Sequence, residues 1–148
     1  MIRPPAVLDQ PGVPGIPDNA VTMPHRPLHA ISGLVEAPVE ATWPALLAVV
    51  PELQPGATIP GIHTDVDPAR HQIAQQGEWW YRGVVTVAAA ARPGASEITR
   101  AIYNVAPALS RWMVPFVHRH DARAMRGAHE ALLRAVAHRL GCGYAIGD

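Results

Sequence analysis

The longest periodic stretch of the chain runs from Asp121 to Leu140. Met125, Ala128, His129, Leu132, Leu133, Val136 and Leu140 recur at helical spacing, while Arg123, Arg126, Glu130, Arg134 and Arg139 occupy most of the opposite side. This pattern predicts an amphipathic helix with one buried face, Asp121 as N-cap and Gly141 as its stop. Such a helix needs a surface to lie on, and the alternating, β-rich middle of the chain is the candidate. The expected fold class is α+β, a curved antiparallel sheet wrapped around one long C-terminal helix.

The other elements can be placed in chain order. Leu28 to Ala37 alternates as a first strand, with Ile31, Gly33 and Val35 on one face and Ser32, Leu34 and Glu36 on the other. Pro38 ends it. Pro44 argues against a helix passing through it, so the spacing predicts Thr42 as N-cap and a short helix from Trp43 to Val50, with Trp43 a core anchor. Pro51 to Gly61 has loop composition, and Ile62 to Asp67 reads as a short strand. Pro68 to Gln76 fits either a paired strand or a helical turn crossing the sheet edge. Gly77 opens the clearest β segment, Glu78 to Ala91; an Arg92-Pro93-Gly94 turn then leads to a strand from Ser96 to Ala106, making a hairpin. Leu109 to Val117, with Trp112, Met113, Pro115 and Phe116, reads as a lid or crossing loop before the long helix.

Composition narrows the classes. At 148 residues the chain is one domain, residues 28–148, preceded by an irregular arm, residues 1–27, that includes Pro4, Pro5, Pro11, Pro14, Pro17 and Pro24. The arm either folds over the domain or packs on a neighbouring copy, as in a homodimer. All 12 basic residues are Arg, balanced by 12 acids, so neither a nucleic-acid surface nor a polybasic membrane footprint is indicated, and without Lys a Schiff-base mechanism is excluded. No apolar run reaches the roughly 20 residues of a membrane span, and no signal peptide is evident. Cys142, the only cysteine, cannot form an internal disulfide, which fits a reducing, cytoplasmic setting. A Gly-rich phosphate loop, a Gly-x-Ser-x-Gly elbow and paired metal-binding cysteines are all absent, against nucleotide-dependent and serine-hydrolase chemistry.

The junction Ala37-Pro38-Val39-Glu40-Ala41-Thr42-Trp43 after the first strand, and the Gly94 to Asn104 hairpin strand with Ser96 where Thr is usual, resemble the SRPBCC superfamily of START-related, pollen-allergen-like and polyketide cyclase and dehydrase proteins. The resemblance covers roughly residues 28–140. It implies a helix-grip fold with an apolar cavity between sheet and final helix, and no fixed chemistry, since relatives include carriers, receptors and enzymes. The region after the first helix is short here, so strands there are expected to be missing or brief.

Candidate site residues come from the strand faces. On Ser96 to Ala106 the even positions Ile98, Arg100, Ile102 and Asn104 are expected inward, setting Arg100 and Asn104 as polar groups in an apolar wall, suited to a ligand oxygen or carboxylate. The competing reading pairs Arg100 with an acid such as Glu78. On the partner strand Trp79, Tyr81, Val85 and Val87 are expected inward, offering flat aromatic surface and a hydroxyl, or plain packing. His129, between Met125 and Leu132, is expected to face the cavity as a general acid/base or as a hydrogen-bonded core residue. His63, Asp65 and Asp67 alternate, with His71 nearby, and His118, His120 and Asp121 cluster; neither group has a defined zinc signature, and alternating polar residues mark a solvent-facing edge.

The expected function is binding of a small apolar or aromatic, polyketide- or lipid-like ligand, oriented by Arg100, Asn104 and Tyr81 against Trp79, Met125, Leu132 and Val136. If chemistry occurs, it is a cofactor-free cyclisation or dehydration with His129 moving the proton. The alternatives are a non-enzymatic carrier and an interaction protein whose cavity is filled by side chains.

Overall fold

A computed structural model of the protein describes residues 26–54, 60–77, 81–106 and 122–147. The elements are β1 (His29–Val35), α1 (Val39–Val49), a 3-10 turn (Pro51–Leu53), β2 (Ile62–Asp67), β3 (Gln72–Gly77), β4 (Tyr81–Ala89), β5 (Ser96–Asn104), α2 (Ala122–Leu140) and β6 (Tyr144–Ile146). Among the described residues the strands form one curved, unclosed antiparallel sheet in the order β2-β3-β4-β5-β1-β6. The chain is therefore α+β, with the C-terminal helix on the sheet. Residues 1–25 of the arm, the segment 109–117, the Asp121 cap, Glu78, Trp79 and the His118–His120 cluster lie outside the described residues.

Strand alternation decides which face meets the helices. In β5 the even positions Ser96, Ile98, Ile102 and Asn104 are buried. Val85 and Val87 of β4 stand opposite Arg100 and Ile98, so they share that inner face. Ile98, Val87 and Val35 then form one core with Trp43 and Leu46 of α1 and Leu132, Leu133 and Val136 of α2. The inner face of the sheet and the apolar stripes of both helices satisfy one another, as layered packing requires.

The first helix differs from its expected bounds. It starts at Val39 rather than Trp43, with Pro38 at its N-cap, and it carries Pro44 inside. Pro38 is extended (φ −69°, ψ 162°), and its carbonyl accepts the Ala41 and Thr42 N–H groups. An interior proline costs a helix on the order of 3 kcal/mol. Burial of Trp43 and Leu46, each contributing about 1.5–3 kcal/mol, offsets it, and Pro44 itself lies on the exposed side. Thr42 is thus no N-cap. Its hydroxyl instead lies 3.2 Å from the Ala37 carbonyl and 2.9 Å from the Ser96 hydroxyl, while Ser96 also donates to Ala37. All of this is buried, tying the start of α1 to the start of β5.

Two strand boundaries also move. Gly77 ends β3 rather than opening the next strand and pairs with Tyr81, and the strand expected over Glu78 to Ala91 is β4, Tyr81–Ala89. Pro68 to Gln76 resolves into a turn followed by β3. The Asp67 carboxylate accepts the Ala69 and Arg70 N–H groups, and His71 takes the left-handed conformation (φ 48°) that reverses the chain. The expected Arg92-Pro93-Gly94 turn is present, with Gly94 at φ +74°.

The helix α2 ends as expected at Gly141, whose φ is +64°. Its N–H reaches the His138 carbonyl and the Cys142 N–H reaches that of Ala137, the paired bonds of a Schellman motif. The strand β6, which no periodicity in the sequence predicts, then turns back along β1 and pairs Tyr144–Ile146 with Gly33–Val35. Gly33 is required beneath the helix: a Cβ there would collide with the Leu133 side chain and lie 2.9 Å from the Ala145 carbonyl.

Candidate functional site: an apolar cleft between sheet, α1 and α2

Since α2 lies over β1 and β6 and against α1, part of the inner face of β3, β4 and β5 is left beside it. A cleft of about 410 Å³ opens there. Ile73, Gln75, Val85 and Arg100 form its sheet wall, Val49 to Pro51 its α1 wall, and Ala128, Ala131, Leu132 and Ala135 its α2 wall. The size is that of a small-molecule site. Alanines at Ala128, Ala131 and Ala135 make the room, because larger side chains along that side of α2 would fill it.

The α1 wall is held by a residue that sequence reasoning did not single out. Gln54 folds back so that its side-chain amide nitrogen reaches the carbonyls of Ala48 and Val50, both at 3.0 Å, and that of Leu47 at 3.4 Å. Carbonyls at the end of a helix lack intrahelical donors; here the Val50 carbonyl also accepts the Leu53 N–H. The cap thereby keeps Val49, Val50 and Pro51 in position.

Arg100 is the one charged side chain among the described lining residues, and Gln75 is the other polar one. Arg100 stands opposite Val85 on one side and Ile31 on the other. A guanidinium set between apolar neighbours suits a carboxylate or carbonyl oxygen.

The expected site residues separate into two groups. Arg100 and Leu132 line the cleft. Val136 is fully buried in the main core, Met125 packs on Ile102 and Ala106, and the buried Asn104 side chain accepts the Ala106 N–H at 3.0 Å, capping the end of β5. The backbone of Tyr81 pairs with that of Asn104.

His129 is likewise placed away from the described cleft lining. It is fully buried, with Nε2 3.1 Å from the Ile98 carbonyl. A carbonyl only accepts, so Nε2 carries the proton and donates; Nδ1 has no partner among the described residues. Burial, reinforced by the nearby Arg100 charge, lowers its pKa to about 4, against the opposing effect of the Ile98 bond. The neutral imidazole acts as a bolt between α2 and β5. Helical spacing explains the difference from expectation: adjacent positions point about 100° apart, so Ala128 meets the cleft while His129 meets the sheet.

The remaining titratable candidates are structural in their contacts. His63 pairs with Asp65 at 3.0 Å on the exposed strand β2, and the His71 ring stands edge-on to Trp43 with centroids 5.5 Å apart. Arg82, on the outer face, bonds Gln76 across the strand pair at 3.1 Å. Among the described residues no group of three His, Cys, Asp or Glu side chains could hold a metal ion, and no helix is long and apolar enough to cross a membrane.

No protein-family model matches the chain, and no curated protein matches it.

Proposed function

We propose that the chain is a helix-grip binding domain of the SRPBCC kind, which takes a small apolar or aromatic molecule into the cleft and holds one ligand oxygen on Arg100. The carrying observation is a cleft of about 410 Å³ with a single charged side chain among its described lining residues. The topology supports the family likeness: β1 lies beside β5, the last described strand before α2, and the described strands β2 to β5 form an antiparallel meander.

This reading is of a binder or carrier. A cyclase would need its proton-transfer group against the ligand. His129 is instead bonded to Ile98, and a pKa of about 4 makes it a weak base at neutral pH.

Titration with the uncharged dye N-phenylnaphthylamine, followed by displacement with aromatic and acyl carboxylates, tests the reading. Stoichiometric dye binding is expected, with Arg100→Met weakening the carboxylates by about tenfold, the effect of a charge-assisted bond. An unchanged circular dichroism spectrum would show that the fold survives the substitution. A protein that binds neither the dye nor any competitor would sink the proposal.

A further inference from the structure

A second space lies beside the cleft along the α2 wall. This more open groove shares Val49, Ala131 and Ala135 with the cleft and continues along the helix to Arg134, His138 and Arg139. The two spaces border the same small side chains, Ala131 and Ala135, which stand low enough for an apolar chain to cross between them. The chemistry changes on the way. The cleft is mostly apolar, whereas the groove finishes among cationic and ring N–H donors.

Those donors are not equivalent. The Arg134 guanidinium is committed, donating to the Tyr144 hydroxyl at 3.1 Å and to Glu130 at 3.2 Å. The side chains of His138 and Arg139 have no hydrogen-bond or ion-pair partner among the described residues. Both lie in the last turn of α2, where carbonyl dipoles favour positive charge, and that accounts for a basic residue there. It does not account for their lining a groove that borders an apolar cleft with Arg100 in its wall.

Resting on the binding reading above, we propose that cleft and groove are one channel for an elongated, two-ended amphiphile of the dicarboxylate class. Its apolar middle crosses Ala131 and Ala135, one carboxylate meets Arg100, and the other meets His138 and Arg139. From Ala128 to Arg139 the helix rises about 16 Å, which sets the scale of the chain it would accommodate.

The test is competition against N-phenylnaphthylamine by a matched pair, decanedioate and ω-hydroxydecanoate, which share the carboxylate that Arg100 takes and differ only in whether the second end is a carboxylate. The dicarboxylate is expected to compete about fivefold more strongly at low salt, with the advantage shrinking at high salt, as for a solvent-accessible charge contact. The double variant His138→Ala, Arg139→Ala should remove the advantage, bringing decanedioate to the affinity of ω-hydroxydecanoate. Equal competition by the two acids would overturn the channel proposal while leaving the cleft reading intact. So would a dicarboxylate advantage that survives the double variant, because the second carboxylate would then sit elsewhere. Failure of the dye itself to bind would overturn the cleft reading, and the channel with it.

Discussion

His129 and Ala128 are neighbours in sequence and occupy different surroundings, one against the Ile98 carbonyl and the other at the cleft. Apolar spacing places both on the inner side of the helix; which of them meets sheet and which meets open space depends on where α2 crosses the strands, a quantity fixed by tertiary packing. The burial of His129 makes stability depend on pH. Its folded pKa of about 4 lies below the ordinary 6.5, so between these values the unfolded chain takes up a proton that the native state refuses. The contribution is fully present above pH 6.5 and is lost as pH falls towards 4, amounting to about 3 kcal/mol at most. Denaturant unfolding across this range should show that loss in the parent protein. In His129→Gln, which keeps a donor for Ile98 and cannot titrate, it should be absent; identical pH profiles would refute the assignment. Gly33 is the other single position with a sharp consequence. Gly33→Ala should destabilise by about 1–3 kcal/mol, read as a lowered denaturation midpoint, because the new methyl overlaps Leu133 in a packed layer.

Among the elements, α1 departs most from local preference. Pro44 argues for a late helix start, and Thr42 looks like a cap; the burial of Trp43 and Leu46 and the Thr42–Ser96–Ala37 contacts override both. Thr42 and Ser96 are 54 residues apart, so a local window of sequence has no access to their bond. By contrast, the β5 inner face, the Pro-Gly turn and the Gly141 stop are legible, since each rests on strand alternation or on a local backbone conformation. Gln54 shows the intermediate case: a helix ending before proline is readable, but the side chain that closes it lies in a stretch of loop composition. Gly127 offers a test of the second helix alone. It lies on the exposed side of α2, and a Cβ added there meets nothing within 4 Å. Gly127→Ala should therefore raise stability by about 0.5–1 kcal/mol through the lower entropy of the unfolded chain. A thermal midpoint that falls instead would mean that the site is more crowded than its geometry indicates.

At the scale of the molecule, the sheet is finished by a strand that no periodicity announces. β6 is a three-residue strand, too short to alternate detectably, and its place beside β1 depends on the turn at Gly141. It is anchored at both ends by the Glu36 N–H to the Gly143 carbonyl at 2.9 Å and the Gly147 N–H to the Ser32 carbonyl at 2.8 Å. Truncating the chain after Cys142 should cost on the order of 2 kcal/mol, the loss of a few backbone hydrogen bonds, and should accelerate amide exchange in β1. Exchange rates unchanged in β1 would show that β6 contributes little. The described sheet ends in β2 on one side and in β6 on the other. β2 is six residues long and carries the partly exposed Ile62 and Val66 on one face and the His63–Asp65 pair on the other, whereas β6 offers only three residues. Copies that join edge to edge can therefore pair over a full strand at β2 and over barely a turn of backbone at β6; a chain stripped of β6 presents the seven residues of β1 instead, has a long edge at each side and can add copies without end.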